Sequence, residues 1–296
     1  MKFDDNNPFA PESPQLGDPP EHSSPAPEAE KLLGPEHFTP ANATGSPIPD
    51  DLCVPWGWGN LLLFVLMYFI FGFLLVLGFA AFGVKPADIQ KLSASNGLSL
   101  VLSQFLLSLA MLGYLAAEMR YHFGLPFWRT IGWHPLSTGG RPRAYLYARY
   151  VMGGFLFSMV IQLASVAVGT KHKLPIESLF QDRRTAILLM LMAVTIAPVV
   201  EETVFRGYIY PVIARRFGIS PSIIVTGVLF GMLHAPQLWG GWGQIALLMV
   251  VGIFFTYVRS KTRTVVASYL LHVGYNTLPL LAYLIASHGL HKLPGG

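Results

Sequence analysis

The feature that most constrains this chain is a series of apolar runs, each long enough to cross a lipid bilayer. Residues 56–84 and residues 217–258 contain no Asp, Glu, Lys or Arg. A helix needs about 20 apolar residues to cross a hydrocarbon core of about 30 Å. Only 12% of the residues are charged, whereas a soluble domain carries about twice that fraction. The sequence therefore predicts an integral membrane protein.

The distribution of these runs predicts an all-α, polytopic transmembrane helix bundle of about seven to eight spans. The Trp-Gly-Gly-Trp-Gly sequence at 239–243 divides the long uncharged run in two and makes the sixth span the short one. An eighth span would require a re-entrant or interfacial helix within 121–148. The seven predicted spans lie at 56–84, 96–117, 150–169, 185–200 with its continuation, the two halves of 217–258, and 264–287.

The amino-terminal part of the chain differs sharply in composition from the rest. Its first 51 residues hold ten acids and two lysines, a charge of −8, whereas the remainder carries +12. A Pro-, Glu- and Ser-rich segment cannot bury enough apolar surface to offset its chain entropy, so a disordered tail is predicted. The predicted organisation is a disordered tail at 1–54, amino-terminal transmembrane helices at 55–184, a core with the polar motifs at 185–288, and a short carboxyl-terminal tail at 289–296.

Basic residues in the loops predict how the bundle is oriented. The loops after the second, fourth and sixth spans are dense in Lys and Arg where the loops are short. The positive-inside rule places these loops in the cytoplasm, together with the tail. This predicts a multi-pass protein of the cell membrane with a cytoplasmic amino terminus. No basic run is interleaved with aromatic residues, so no nucleic-acid partner is expected, and no pattern indicates an oligomeric state.

The fourth span brings ionisable groups into the bilayer, where they need a functional or structural reason. It reads IAPVVEETVFRGYIY and carries Glu201, Glu202 and Arg206. Glu202 and Arg206 are four residues apart on one helical face and can form an ion pair. Glu201 points about 100° away and is left free for chemistry. Pro198 cannot donate a backbone hydrogen bond and is expected to kink the helix.

Two further spans each contribute polar groups to the same depth. The fifth span contains His234, and its glycines at 227 and 231 would let a neighbouring helix approach closely. The seventh span contains His272 and Asn276, which share one face. Counted from the predicted inner loops, Glu201, His234 and Asn276 lie roughly 18–21 Å from the same surface. The polar groups are therefore predicted to converge at one level near the middle of the bilayer.

The three motifs EETVFR, FGMLH and HVGYN resemble those of the CAAX protease and bacteriocin-processing family of intramembrane endopeptidases, which includes the Ras-converting CAAX endopeptidase. The family pattern is a Glu pair with Arg four residues after the second Glu, then Phe-x-x-x-His, then His-x-x-x-Asn or Asp. All three occur in this order within roughly residues 185–285. The resemblance implies that Glu202 and Arg206 position the helix of Glu201 and tune its electrostatics.

The resemblance also assigns chemical roles to four residues. It implies that Glu201 and His234 activate a water molecule for attack on a peptide carbonyl, and that His272 and Asn276 stabilise the oxyanion. A carboxylate beside an imidazole can take the water's proton, and fixed donors in a dry site stabilise developing charge. The implied substrate is a membrane-associated peptide or protein, with a prenylated CAAX carboxyl terminus as one candidate.

The sequence leaves the role of a metal open. Family members are commonly called metalloproteases, and a carboxylate with two imidazoles is a set of ligands that zinc accepts. The chain lacks the His-Glu-x-x-His arrangement that indicates zinc more strongly, and a metal-free glutamate mechanism fits the same residues. No organic cofactor is implied.

Two other functions use similar residues. A proton-coupled transporter relays ions through membrane carboxylates and histidines, but many transporters contain internal repeats, and none is convincing here. A non-catalytic immunity or scaffold protein would bind a peptide through the same cavity. Loss of one motif residue would favour that interpretation, and every motif residue is present.

Overall fold

The computed structural model describes residues 48–81, 97–169 and 174–291. The predicted disordered tail as far as residue 47 and the last five residues of the predicted carboxyl-terminal tail lie outside these ranges. Within them, the regular elements are all helical, as the apolar runs predict. The elements that matter for the site are therefore helices and their connections.

Ten α-helices, numbered in chain order, two π-helical stretches and two short 3₁₀ helices at Asp50–Leu52 and Pro175–Phe180 make up most of the described chain. A π-helical turn, Glu118–His122, follows α2, and a longer π-helical segment, Thr203–Ile209, joins α6 to α7. The helices are α1 (Trp58–Ala81), α2 (Gly97–Ala117), α3 (Phe127–Thr130), α4 (Arg143–Val168), α5 (Arg183–Val194), α6 (Ile196–Glu202), α7 (Tyr210–Phe217), α8 (Ile219–Leu233), α9 (Trp242–Thr262) and α10 (Val265–Ala286).

The number of membrane spans differs from the prediction of seven to eight. Five of the described helices are long and apolar enough to cross a bilayer, and a sixth span results if Arg183–Val194 and Ile196–Phe217 are taken as one bent unit. The predicted fifth span, α8, has only 15 residues, which is about 22 Å of helix. The predicted sixth span is not short, because α9 continues beyond residue 258 to a length of 21 residues.

The last part of the predicted disordered tail packs on the helices. Residues 48–56, called here the N-terminal segment, lie against the bundle instead of remaining disordered as far as Val54. Leu52 is buried in one cluster with Tyr210. The Arg215 guanidinium donates to the backbone carbonyl of Val54 at 2.6 Å. Alternating apolar residues at the end of the Pro-rich region provide the buried surface that its earlier part lacks.

The predicted common side for the basic loops is present in the structure. Asp51 of the N-terminal segment pairs with Arg259, near the end of α9, at 2.7 Å. The backbone N–H of Val265, the first residue of α10, donates to the carbonyl of Gly132 at 2.9 Å. Arg215 at the end of α7 contacts the same N-terminal segment. The loops after α2, α7 and α9 therefore lie together with the N-terminal segment at one end of the bundle.

Helix α10 packs most extensively against α4, and glycines make this approach possible. A Cβ atom on Gly154 would overlap the backbone carbonyl of Leu271, and one on Gly274 would overlap the carbonyl of Val151. Leu271 and Gly274 flank His272 in the chain. The contact with α4 therefore fixes the part of α10 that carries the third motif.

Helices α8 and α9 form a second close pair, as the glycine spacing in α8 predicts. A Cβ atom on Gly227 would overlap Ile253, and one on Gly231 would overlap Met249. Since His234 follows directly after α8, this contact determines where the second motif lies. His234 terminates α8 and does not lie within it, so the second motif is nearer to a helix end than predicted.

Candidate active site

The first motif follows a bend in the chain whose cause is visible in the sequence. Helix α5 ends at Val194, and the axis turns by 42° before α6 begins at Ile196. Pro198 has no N–H to donate to the Val194 carbonyl, and its ring clashes with that carbonyl in a straight helix. The predicted kink is therefore confirmed, and the redirected helix carries Glu201 and Glu202 into the bundle.

Glu202 and Arg206 form the predicted ion pair. The Arg206 Nη1 and Glu202 Oε1 atoms are 2.9 Å apart, and both side chains are fully buried. Arg206 also donates from Nε to the Thr256 hydroxyl at 3.2 Å and from Nη2 to the Gly252 carbonyl at 2.9 Å. Because every one of these contacts is buried, the pair is fixed in one geometry and the helix is tied to α9.

Aromatic rings complete the enclosure of the Arg206 guanidinium. Its central carbon lies 4.5 Å from the ring centroid of Phe230 and 5.5 Å from that of Phe255. The same two rings lie against His272, at centroid distances of 5.8 and 5.1 Å. The rings exclude water from the ion pair and from the imidazole at the same time, which strengthens electrostatic interactions among them.

Glu201 has the opposite environment. Its side chain is 19% exposed, and it accepts no hydrogen bond from the described residues. Its Oε1 atom lies 3.9 Å from Nε2 of His234, and its Oε2 atom lies 3.7 Å from Nε2 of His272. Separations above 3.5 Å are too long for direct hydrogen bonds but allow a water molecule to bridge the groups. The Glu201 carboxylate therefore faces two imidazoles across gaps of 3.9 and 3.7 Å.

The other nitrogen of each imidazole is already engaged. Nδ1 of His234 lies 3.0 Å from the carbonyl oxygen of Phe230, which can only accept a hydrogen bond. His234 therefore carries its proton on Nδ1, and Nε2 presents a lone pair toward Glu201 when the ring is neutral. Nδ1 of His272 lies 3.0 Å from Oε1 of Glu202. Both rings are thus oriented by partners on the side away from Glu201.

Asn276 lies in the same region but has a partner that the sequence did not predict. Its Nδ2 atom donates to the backbone carbonyl of Ala193 at 2.7 Å. This carbonyl belongs to the last turn of α5, just before the bend, where helical partners are missing. Asn276 therefore ties α10 to the end of α5, and the second amide proton remains available for another acceptor.

The three groups that face one another do not form a ready metal site. Among the described residues, no group of three or more His, Cys, Asp or Glu side chains is arranged to hold a metal ion. Glu201, His234 and His272 are not counted among such groups. A carboxylate and two imidazoles can instead act directly on a water molecule as proton acceptors and donors.

Several residues of the site were not found from the motifs. Gly252, Thr256 and Phe255 on α9 all contact the buried ion pair or the imidazole, although α9 carries none of the three motifs. The available signal was a glycine and a threonine four residues apart in an uncharged span, a spacing that permits close helix packing. That spacing indicates that another helix packs closely there. It does not identify the side chain that packs against α9.

Comparisons with known proteins indicate the family to which this region is related. The family model described as "Type II CAAX prenyl endopeptidase Rce1-like" matches residues 183–278. This range begins with α5 and includes all three motifs. The chain therefore carries an Rce1-like domain of the CAAX protease family, as the motifs indicate.

Two curated bacterial proteins are similar over different lengths. The chain is 22% identical over 236 residues to "Putative membrane peptidase YdiL" of Bacillus subtilis, covering 77% of this chain and 88% of that protein. It is 28% identical over 95 residues to "UPF0177 protein YbdI" of Lactococcus lactis, covering 32% of this chain and 49% of that protein. No solved structure was found to match the chain.

Proposed function

We propose that this multi-pass membrane peptidase of the Rce1-like CAAX family is an endopeptidase in which Glu201 and His234 activate a water molecule. One observation carries the proposal: Glu201 is partly exposed and faces two imidazoles without a direct hydrogen bond to either, while its neighbour Glu202 is fully buried and hydrogen-bonded to Arg206. A carboxylate that is not engaged in a direct hydrogen bond is available to accept a proton from water. Two adjacent glutamates are thereby given different chemical roles.

The proposed reaction is hydrolysis of one peptide bond. A water molecule between Glu201 and His234 loses a proton to this pair as its oxygen attacks the peptide carbonyl. The resulting tetrahedral intermediate collapses when the C–N bond breaks, and the stored proton passes to the leaving amine. His234 is suited to this role because its Nδ1–H bond to Phe230 keeps Nε2 directed at Glu201.

His272 and Asn276 are proposed to stabilise the oxyanion. Asn276 has one amide proton that is not used by Ala193, and an oriented amide is a suitable donor. His272 can donate from Nε2 when both of its ring nitrogens carry protons, while Glu202 accepts from its Nδ1 side. Arg206 contributes indirectly, by holding Glu202 in place.

The proposed substrate is a membrane-associated peptide or protein, acted on from within the bilayer or from the side of the basic loops. The family model's description makes a prenylated carboxyl-terminal peptide the first substrate to test. The apolar face of α8 supports access from lipid, since Leu229 and Met232 are exposed close to His234.

The proposal is tested by cleavage of a quenched prenylated-peptide library with purified protein. The variants are Glu201→Gln and His234→Ala, each assayed with and without a chelator. Matched controls are Glu177→Gln and His288→Ala, which change exposed residues outside the site. Removal of a general base is expected to lower kcat by about 10²- to 10⁴-fold, while both controls retain activity.

Each arm has a distinct interpretation. Retained cleavage in both site variants would refute the roles of Glu201 and His234. Loss of wild-type cleavage with the chelator, restored by added zinc, would show that a metal is required and would replace the glutamate mechanism. Hydrolysis that is unaffected by the chelator supports the glutamate mechanism.

A further inference from the structure

The segment that follows the catalytic glutamates has an irregular backbone. Residues Thr203–Ile209 are π-helical, and the Tyr210 N–H donates to the carbonyl of Phe205, five residues earlier. A π-helical turn accommodates one more residue than an α-helical turn, so residues on its two sides are rotated by about 100° relative to a regular helix. The π-helical segment therefore determines how Glu201 and Glu202 are oriented relative to α7.

Helix α7 is itself fixed, so a change in the π-helical segment would move the glutamates. Tyr210 is fully buried, and Arg215 is bonded to the N-terminal segment. If the segment became a regular α-helix, α6 would rotate and the Glu201 carboxylate would turn away from the two imidazoles. Such π-helical turns are rare and tend to occur at functional sites, which makes the contacts that hold this one informative.

The beginning of the π-helical segment is held by the loop that follows α3. The Trp133 indole Nε1 donates to the hydroxyl of Thr203, the residue after Glu202, at 3.0 Å. Two residues earlier in this loop, Ile131 lies so close to Gly207 that a Cβ atom there would overlap it. The same loop is bonded to the start of α10, so it connects the first motif with the helix of the third.

The end of the π-helical segment is held by the π-helical turn that follows α2 and by the N-terminal segment. The Tyr208 hydroxyl donates to Oε2 of Glu118 at 2.7 Å, and the Tyr208 carbonyl accepts a hydrogen bond from the Trp56 indole at 2.9 Å. The two rings are stacked, with centroids 5.3 Å apart. Both rings are fully buried, so these contacts are not available to water.

Glu118 is an unusual residue to bury at this position. Its side chain accepts hydrogen bonds from Asn60 and Tyr208, and no Lys, Arg or His among the described residues pairs with it. A carboxylate in a membrane protein without a cationic partner is costly and points to a role. Tyr208 is its hydrogen-bond partner in the π-helical segment.

We propose that Trp56, Glu118 and Trp133 are positioning residues for the catalytic glutamates, because they hold the π-helical segment. This inference rests on the proposed function of Glu201. None of the three residues belongs to a family motif or touches the reacting groups. They act on Glu201 through Thr203 and Tyr208.

The test uses variants that remove one polar group and keep an aromatic ring at the position. Tyr208→Phe removes the bond to Glu118, and Trp133→Phe removes the bond to Thr203. The matched control is Tyr283→Phe, which removes an equivalent hydroxyl bond to the Phe180 carbonyl, away from the site. A displacement of about 1 Å at a catalytic group costs about 10²-fold, so kcat is expected to fall 10- to 100-fold in the first two variants. KM should change less than about twofold, because the substrate contacts are intact.

A conservative exchange separates positioning from general stability. Glu118→Gln keeps an acceptor for Tyr208 and should retain most of the activity, whereas Glu118→Leu should lose it. A fall in melting temperature with unchanged kcat in Tyr208→Phe and Trp133→Phe would overturn the proposal. So would an equal loss of kcat in Tyr283→Phe.

An activity-independent measurement distinguishes failure of this proposal from failure of the proposed function. Glu201→Cys and His234→Cys are introduced together into Cys53→Ser protein and bridged with dibromobimane, which fluoresces when it joins two thiols. Bridging should be slower by about tenfold when Tyr208→Phe or Trp133→Phe is added, and unchanged with Tyr283→Phe. Unchanged bridging in all backgrounds would refute the positioning role, even if wild-type protein cleaves no tested peptide.

Discussion

At the scale of single residues, the site depends on two adjacent glutamates in different environments. Glu202 is fully buried and bonded to Arg206 and His272, whereas Glu201 is partly exposed and accepts no direct hydrogen bond from the described residues. The contrast follows from helical geometry, because neighbouring residues point about 100° apart. One glutamate can therefore maintain the structure while the other is free for chemistry.

The first prediction concerns the buried ion pair. Arg206→Met removes the cation that faces the buried Glu202 carboxylate and leaves the His272 imidazole as its remaining close partner, so it should lower the free energy of unfolding by about 3–5 kcal/mol. The measurement is denaturant unfolding in detergent, with Arg129→Met as an exposed control. Combining Arg206→Met with Glu202→Gln should recover part of the loss. A single variant as stable as the wild type would contradict this account of the pair.

A contact of the site could be predicted from the sequence when its residues are near one another in the chain. The Glu202–Arg206 pair follows from a spacing of four residues, and the kink before it follows from Pro198. The Thr256 contact to Arg206 joins residues 50 apart in the chain, and no periodicity specifies that separation. The Asn276 bond to the Ala193 carbonyl depends on the bend exposing that carbonyl, so it could not be read from the third motif.

At the scale of helices, glycine contacts determine the positions of the two histidines. Composition predicted the helices and their polar faces, and the spacing of Gly227 and Gly231 predicted a close neighbour. The glycine spacing did not identify α9 as that neighbour, because a close approach depends on the surfaces of both helices. The length of α8 was also missed, since the uncharged run around it is longer than the helix.

The second prediction tests the contact between α8 and α9. Gly227→Ala places a methyl group where Ile253 lies, and overpacking of this kind should cost about 1–3 kcal/mol. Gly113→Ala is the matched control, because a Cβ atom at that position meets open space. Both variants are compared by denaturant unfolding in detergent. Equal stability of the two variants would show that the helices are not in close contact.

The third prediction concerns the start of α5. Hydrogen bonds from the Thr185 hydroxyl and backbone N–H hold the pKa of Asp182 below its usual value. A lowered folded-state pKa means that the cap stabilises the protein above about pH 4 and loses its contribution as the pH falls through the folded pKa.

The pH dependence can be isolated by two substitutions. The difference in melting temperature between wild type and Asp182→Ala should be constant above about pH 5 and shrink at lower pH. Asp182→Asn provides the control, because Asn is also a good N-cap but does not titrate. A difference between wild type and Asp182→Ala that is independent of pH would contradict the assigned cap.

At the scale of the whole molecule, the basic loops and the N-terminal segment meet at one end of the bundle. Asp51–Arg259 and Gly132–Val265 are the contacts that show this. Composition predicted that these loops share a side, because the alternation of spans requires it. We propose a cytoplasmic location for this end from the excess of Lys and Arg in its loops.

The fourth prediction tests that location. Arg141→Cys and Lys261→Cys are introduced separately into Cys53→Ser protein, so that each variant has one cysteine. Each should react with a membrane-impermeant thiol reagent only after the cells are opened. Pro236→Cys, which replaces an exposed residue in the turn after α8, should be labelled in intact cells. Labelling of both basic-loop cysteines from outside would reverse the proposed orientation.

The most direct test of the central claim compares one pair of variants in lipid vesicles. Wild-type protein, Glu201→Gln and Glu177→Gln are reconstituted at equal amounts, and hydrolysis of a quenched membrane-anchored peptide is followed by fluorescence and product mass. The account predicts cleavage at one peptide bond by wild type and Glu177→Gln, with a rate at least about 10²-fold lower in Glu201→Gln. Equal cleavage by Glu201→Gln would contradict the assignment of Glu201 as the group that activates water.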